Sequence, residues 1–506
     1  MLVAAIVIAY AAIALALTLS KRPWQDEASF HDSAVHLLAD GSLRTPIEGI
    51  HGGRYEGLDR RTYWMPPLNF VAQAAWYALL GPGIVTMRLL SVLFGSLALA
   101  AWFGAVRRLL RDDGAALVAT TLLACDYVFL MAASDGRMDM MATALGVSAI
   151  SAYLALREHS VPAALLAGNS LVAASMLTHP NGVLYLFMLV VLTWYLDRRN
   201  LQRELWIAAV PYLVGGAAWG AYIAQDPHLF AVQFFGNMHG RLGGFAAPWW
   251  GFAREVRERY LEFYGLGPGW SLTGRGRSLI LAVFVLGIGS AIRPAREGET
   301  GTRALLLMLG VCFGTMAIVQ GSKTPIYLIY IMPLLTATVA AASAHHWRAR
   351  TVPRAAVAGM LVVLCGVQLT LAGRKIAQYG YRNSFMPAVQ AVRRVIPASG
   401  LVLGCPEFAF GLGFDGTVID DPRLGYFSRR RPDAVVMDSR YRAWLDDHSR
   451  AEPEVSAYVQ HLLTCEMRPV FTNDLYEVFA RPAAAGPGVS APECAGSRQG
   501  PRAASR

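Results

Sequence analysis

The sequence predicts a polytopic α-helical membrane protein with a small soluble α/β domain near its C-terminal end. Three observations carry that prediction. Of 506 residues, 55% are hydrophobic and only 16% are charged, against about 25% charged in an average soluble domain. Apolar runs near the ~20 residues that cross a hydrocarbon core recur through residues 1–375. After Gly373 the composition changes.

The spans come first. Leu2–Ser20 has no basic segment before it and no A-x-A site before Lys21, so it reads as a retained first span rather than a signal peptide. Further runs follow at Ile84–Val106, Ala115–Ala132, Met140–Leu156, Pro162–Leu177, Gly182–Leu196, Leu205–Ile223, Ser278–Ile292, Ala304–Val319, Ile326–Ala344 and Ala355–Ala372. The expectation is about eleven spans. Pro67–Leu80 is shorter, between paired prolines and Gly81-Pro82-Gly83, and reads as a helix lying at the external interface.

Charge sets the orientation. The formal net charge is +10, but the basic residues gather in short loops, so nucleic acid is not implied. With the N-terminus inside, the clusters at Arg107–Arg111, Arg198–Arg203, Arg293–Arg303 and Arg348–Arg354 all fall on the inner side, as the positive-inside rule requires. Loops 21–83 and 224–277, and everything after Gly373, are then external. The setting expected is a bacterial inner membrane.

Residues 384–482 read as the soluble domain. Helices are expected at Pro387–Val395 and Glu454–Leu463, with strands at Gly400–Gly404, Ala434–Asp438, Arg468–Thr472 and Leu475–Ala480. Residues 483–506 are rich in Ala, Gly, Pro and Ser and read as a disordered tail. Six scattered cysteines suggest no zinc or iron–sulfur site. In an oxidising compartment Cys405 and Cys465 could be bridged, or could stay as buried thiols.

The external face collects the unusual chemistry. Asp26-Glu27 and His31 follow the first span, in the stretch Lys21–His31. Tyr63 precedes the paired prolines. Asp135, Arg137 and Asp139 stand together before the fourth span. His179 follows the fifth span, His239 and Arg241 lie in the large loop, and Lys323 and Tyr327 precede the tenth. Each has an ordinary alternative: an acid can cap a helix, a lysine can snorkel, and Trp249-Trp250 can belong to an aromatic belt. Together on one face, carboxylates and cations suit a phosphate-bearing substrate and a proton to be removed.

Residues 1–375 resemble the GT-C glycosyltransferases of the protein O-mannosyltransferase and lipid A aminoarabinose-transferase type. The shared elements are the Asp26-Glu27 pair, Y-x-x-P-P-L at Tyr63–Leu68 with Arg88-Leu89 after it, and R-x-D at Arg137–Asp139. Asn237 and Arg241 before Pro248-Trp249-Trp250, and S-K-x-x-x-Y at Ser322–Tyr327 with Pro333, complete the set. The resemblance implies transfer of a sugar, with inversion, from a polyprenyl-phosphate carrier to a lipid, glycan or protein acceptor. It makes Asp26, Glu27 and Asp139 the catalytic acids. Arg241, Lys323 and Tyr327 would hold the carrier phosphate with His179, and Arg137, Asp135, Tyr63 and His239 would support them.

Two departures qualify what carries over. Trp64-Met65 stand where some members have Glu-Lys, which removes one metal ligand and one phosphate-binding cation. His179-Pro180-Asn181 stands where many have Lys-Gly. The sequence points to no particular cofactor. A divalent metal stays open, as does a transporter or flippase for an amphipathic lipid. A transporter should show repeats and broken helices with polar groups at mid-bilayer; here the polar groups lie at one face.

Overall fold

A computed structural model describes residues 1–49, 55–239, 248–267 and 272–482. The expected tail at 483–506 and Arg241 lie outside the described residues. The chain divides into two compact units, one of Met1–Pro46 and Gly52–Tyr381, the other of Ile47–His51 and Arg382–Arg506.

The first unit is a helical membrane bundle. Among the described residues, nine helices are long and apolar enough to cross a membrane, and a tenth span is a pair of helices, Asp113–Cys125 and Tyr127–Ala133, bent by 61°. The bend sits at Asp126, whose side chain accepts the Phe129 N–H at 2.9 Å and the Gln368 amide at 2.6 Å. A carboxylate that caps the second helix competes with the backbone of the first. The helix Leu68–Leu80 has 13 residues, too few to span.

The tenth expected span differs from its prediction. Ile326–Ala344 becomes a 3-10 turn at Pro325–Tyr330 followed by a helix Met332–Ala349. That helix falls outside the apolar set because Thr336, Thr338, His345, His346 and Arg348 dilute it. Met332–Ser343 is buried throughout, so it packs inside the bundle rather than against lipid.

Two neighbouring spans form one helix, Val183–Ile223, that breaks at Asp197 (φ −134°, ψ 21°). The Asp197 carboxylate accepts Arg157 at 2.7 and 2.8 Å and the Tyr153 hydroxyl. Close helix approach uses small residues: a Cβ at Gly146 would lie 2.1 Å from the Tyr185 ring.

The second unit holds a five-stranded sheet. Its strands are β1 (Val402–Gly404), β2 (Val418–Ile419), β3 (Ala434–Met437), β4 (Arg468–Thr472) and β5 (Glu477–Ala480), in the order β2-β1-β3-β5-β4. β1 is parallel to β2 and β3, and the other pairs are antiparallel. The segment at Ile47 joins the β2 edge: Asp420 N–H bonds to Ile47 O at 2.8 Å, and Gly49 N–H to Asp420 O at 3.0 Å. β5 begins later than expected because Asn473 Oδ1 accepts the N–H groups of Leu475 and Tyr476 and makes a turn there.

Asp420 and Cys405 follow the parallel strands into a buried polar network, with Tyr441 donating to Asp420 and Tyr476 to Glu407. Cys405 is a free, buried thiol and Cys465 is disulfide-bonded to a different cysteine, so the Cys405–Cys465 bridge does not form.

Candidate active site

The stretch after the first span is the start of a second helix, Gln25–Asp40, with Asp26 and Glu27 in its first turn. Acids are favourable there because the exposed N–H groups carry partial positive charge. Glu27 also turns back to accept the Trp24 N–H at 3.2 Å. The two carboxylates then diverge.

Glu27 is wholly buried. Arg88 grips both of its oxygens at 2.7 Å, and Gly136 N–H adds a third bond at 2.8 Å. Arg88 also donates to the carbonyls of Thr18, Lys21 and Arg22 at 2.9–3.0 Å. The pair therefore ties the first span, the turn after it and the Gly136 turn together. Beside it Lys21 bonds Asp135, and donates to Met131 O at 3.2 Å and Ser134 Oγ at 3.1 Å. Burial pushes the Lys21 ammonium below its ordinary pKa and the Asp135 carboxyl above its own.

Asp26 points the other way and keeps about 30% of its side chain exposed. Arg137 is buried between it and Asp139, bonding Asp26 Oδ2 with Nη1 and Asp139 Oδ2 at 2.8 Å with Nε. The guanidinium stacks 5.1 Å from the Trp24 ring. Asp139 is 1% exposed. Its other oxygen accepts the Tyr330 hydroxyl at 3.2 Å, and His179 Nε2 lies 3.8 Å away. His179 Nδ1 accepts the Asn181 N–H at 3.0 Å, so the neutral ring carries its proton on Nε2, toward Asp139. A cavity of about 30 Å³ opens beside His179 and Tyr327, room for about one water.

Lys323 lies within a different cluster. It is buried against Glu255 at 3.0 Å and donates to the carbonyls of Met316 and Ala317. Glu255 also binds Arg259 at 2.7 Å, and Arg259 reaches Ser322 O at 3.1 Å. Desolvation lowers the Lys323 pKa. Tyr63 packs on Tyr222 and Phe230, its hydroxyl donating to Tyr222 O at 3.2 Å. Asn237 donates to Trp64 O at 3.0 Å, while His239 is exposed. Trp249 and Trp250 are largely exposed.

The structure thus brings Asp26, Arg137, Asp139, His179 and Tyr327 into one neighbourhood and gives Glu27, Asp135 and Lys323 buried ion pairs. Sequence reasoning passed over Lys21, Glu255, Arg259 and Tyr330. Only Glu255 and Arg259 left a local trace, the i, i+4 spacing of opposite charges on one helix face.

Residues 65–222 match the family model described as dolichyl-phosphate-mannose-protein mannosyltransferase. Among solved structures the chain resembles ArnT from Cupriavidus metallidurans bound to undecaprenyl phosphate. That match has 17% identity and a TM-score of 0.58, and covers 96% of this chain and 99% of ArnT. The Archaeoglobus fulgidus oligosaccharyltransferase gives 12% identity and a TM-score of 0.58, covering 94% of this chain and 73% of that one. Its complex with an inhibitory peptide and a dolichol-phosphate gives a TM-score of 0.53. No curated protein matches the chain by sequence. Both of these proteins are GT-C glycosyltransferases, and the chain has their fold.

Proposed function

We propose that this multi-pass membrane protein of the GT-C fold is an inverting glycosyltransferase whose donor is a sugar on a polyprenyl phosphate. The observation that carries the reading is the Asp26–Arg137–Asp139 array. One partly exposed carboxylate is held by a buried arginine, and the arginine is anchored by a buried acid. Asp26 Oδ2 meets Arg137, so Oδ1 is the arm left to receive the proton of an acceptor hydroxyl. Orientation by a fixed partner is what a general base requires.

The reaction balances without a nucleotide. The acceptor oxygen attacks C1 of the sugar from the face opposite the phosphate, its proton passes to Asp26, and the C1–O bond to the carrier breaks. The phosphate leaves with the bonding pair, and positive charge builds at C1. Donors near the departing phosphate lower this barrier. His179, Tyr327 and Arg241 are proposed for that task, with Lys323 setting the loop from beneath. Glu27 is proposed to hold the Asp26 turn through Arg88 and Gly136. A guanidinium already stands between Asp26 and Asp139, so the two do not fit a divalent ion between them.

The acceptor is a hydroxyl or phosphate of a lipid, glycan or protein. The site and the C-terminal unit are proposed to face the outside of an inner membrane, following the basic loops. Mass spectrometry of envelope glycans and glycolipids, with and without the gene, tests the function. Loss of one glycosylated species, restored by the wild type and not by Asp26→Asn, is expected. An unchanged envelope would remove the reading.

A further inference from the structure

A cavity of about 700 Å³ opens in the membrane unit at the end away from Asp26. Helix Ile84–Leu110 runs between the two places, with Arg88 beside Glu27 and Arg108 in the cavity wall. Twenty residues at 1.5 Å each separate them by roughly 30 Å. This is a second place, and nothing in the proposed transfer uses it.

Its charges are of both signs. Arg157 is paired with Asp197 and Arg348 with Asp112, each at 2.7 Å. Arg108 and Arg111 also line the wall, with no ion pair to any described residue. Glu158 likewise has no ion pair to any described residue, and Glu299 also lines the cavity, accepting the Thr302 hydroxyl at 2.8 Å with His345 Nδ1 3.5 Å away. The first turn of the 20-residue helix Thr300–Val319 forms part of the wall and adds partial positive charge. Leu109, Leu154 and Leu196 supply apolar surface between the charges.

A purely anionic ligand would meet Glu158 and Glu299, and a purely cationic one would meet Arg108 and Arg111. A ligand carrying a phosphate and an ammonium satisfies both sets. Basic pockets between membrane helices are the usual receptors of lipid head groups. We infer that the cavity binds an aminophospholipid head group, its phosphate toward Arg108 and Arg111 and its ammonium toward Glu158 and Glu299. The primary ammonium matters because it donates hydrogen bonds to carboxylates, which a quaternary one cannot.

The test uses the full-length protein, delipidated in detergent. Binding of short-chain phosphatidylethanolamine, phosphatidylcholine, phosphatidylglycerol and free phosphoethanolamine is read by native mass spectrometry and by thermal shift. Phosphatidylethanolamine is expected to bind at least about fivefold more tightly than the other two lipids. Arg111→Ala and Glu158→Gln should each abolish that preference. Arg107→Ala, which pairs with Asp113 and lies outside the cavity wall, should leave it intact. Equal binding of phosphatidylglycerol, or an unchanged preference in both variants, would overturn the inference. Free phosphoethanolamine binding as tightly as the lipid would overturn the lipid as its source.

Discussion

Glu27 and Arg88 form a two-pronged ion pair, 2.7 Å on each arm, with both side chains wholly buried. Removing one partner strands the other charge without water. Arg88→Ala should therefore lose roughly 3–5 kcal/mol of stability, seen as lost yield and a lower Tm in detergent. Arg88→Lys should fail nearly as badly, because an ammonium cannot reproduce the fork and the three carbonyl contacts. A normally stable Arg88→Lys protein would show that charge alone suffices there.

Asp26 is the opposite case. It is partly exposed, and Arg137 keeps Asp139 when Asp26 is lost. Asp26→Asn should fold normally and transfer sugar on the order of a hundredfold or more slowly, the usual loss for a positioned base. Purified variant and wild type compared on one polyprenyl-phosphate sugar decide this. Near-equal turnover would sink the assignment of Asp26.

Lys323 lies buried among Glu255 and two carbonyls, so its replacement removes one of the two cations that hold Glu255, Arg259 being the other. Lys323→Ala should lower the Tm, and a double-mutant cycle of Lys323→Met with Glu255→Gln should show a non-zero coupling, since the pair interacts directly. A fall in carrier affinity at unchanged Tm would instead place Lys323 against the donor phosphate.

How much of this was readable beforehand differs by kind of evidence. Hydropathy located the spans because bilayer thickness sets helix length. At Met332–Ala349 the expected span is a helix buried among helices after a 3-10 turn, so its apolar residues face the bundle rather than lipid. The acids and Arg137 stood out by residue type. The pairing of Arg137 with Asp26 did not, because the two are 111 positions apart and only packing brings them together. Lys323 looked like a free cation because Glu255 sits in a distant loop helix. The strand Val418–Ile419 has two residues, too short for any alternation to show.

Thiol chemistry offers a separate check on the C-terminal unit. Denatured without reductant, the protein should label at Cys405 and not at Cys465, as follows from the free and bonded states of these two residues. Labelling of both by peptide mass spectrometry would show the bonded cysteine to be reduced.

The last prediction concerns acid. His31 is buried in helix Gln25–Asp40, with Nδ1 2.9 Å from the Tyr77 hydroxyl. Burial pushes its pKa down to about 3, against about 6.5 in an unfolded chain. Between these values the unfolded chain binds a proton that the folded one refuses. The unfolded state therefore gains as pH falls, and stability drops by about 1.4 kcal/mol per unit below pH 6.5, levelling off below about 3. At pH 5 the loss from this residue alone is roughly 2 kcal/mol. Carboxylates elsewhere act in the same direction, so the informative quantity is a difference between proteins. His31→Asn keeps a polar atom near Tyr77 and cannot titrate. Its Tm should fall less steeply than the wild type's between pH 7 and pH 5. Parallel curves would mean that His31 is already protonated in the fold, or that water reaches it.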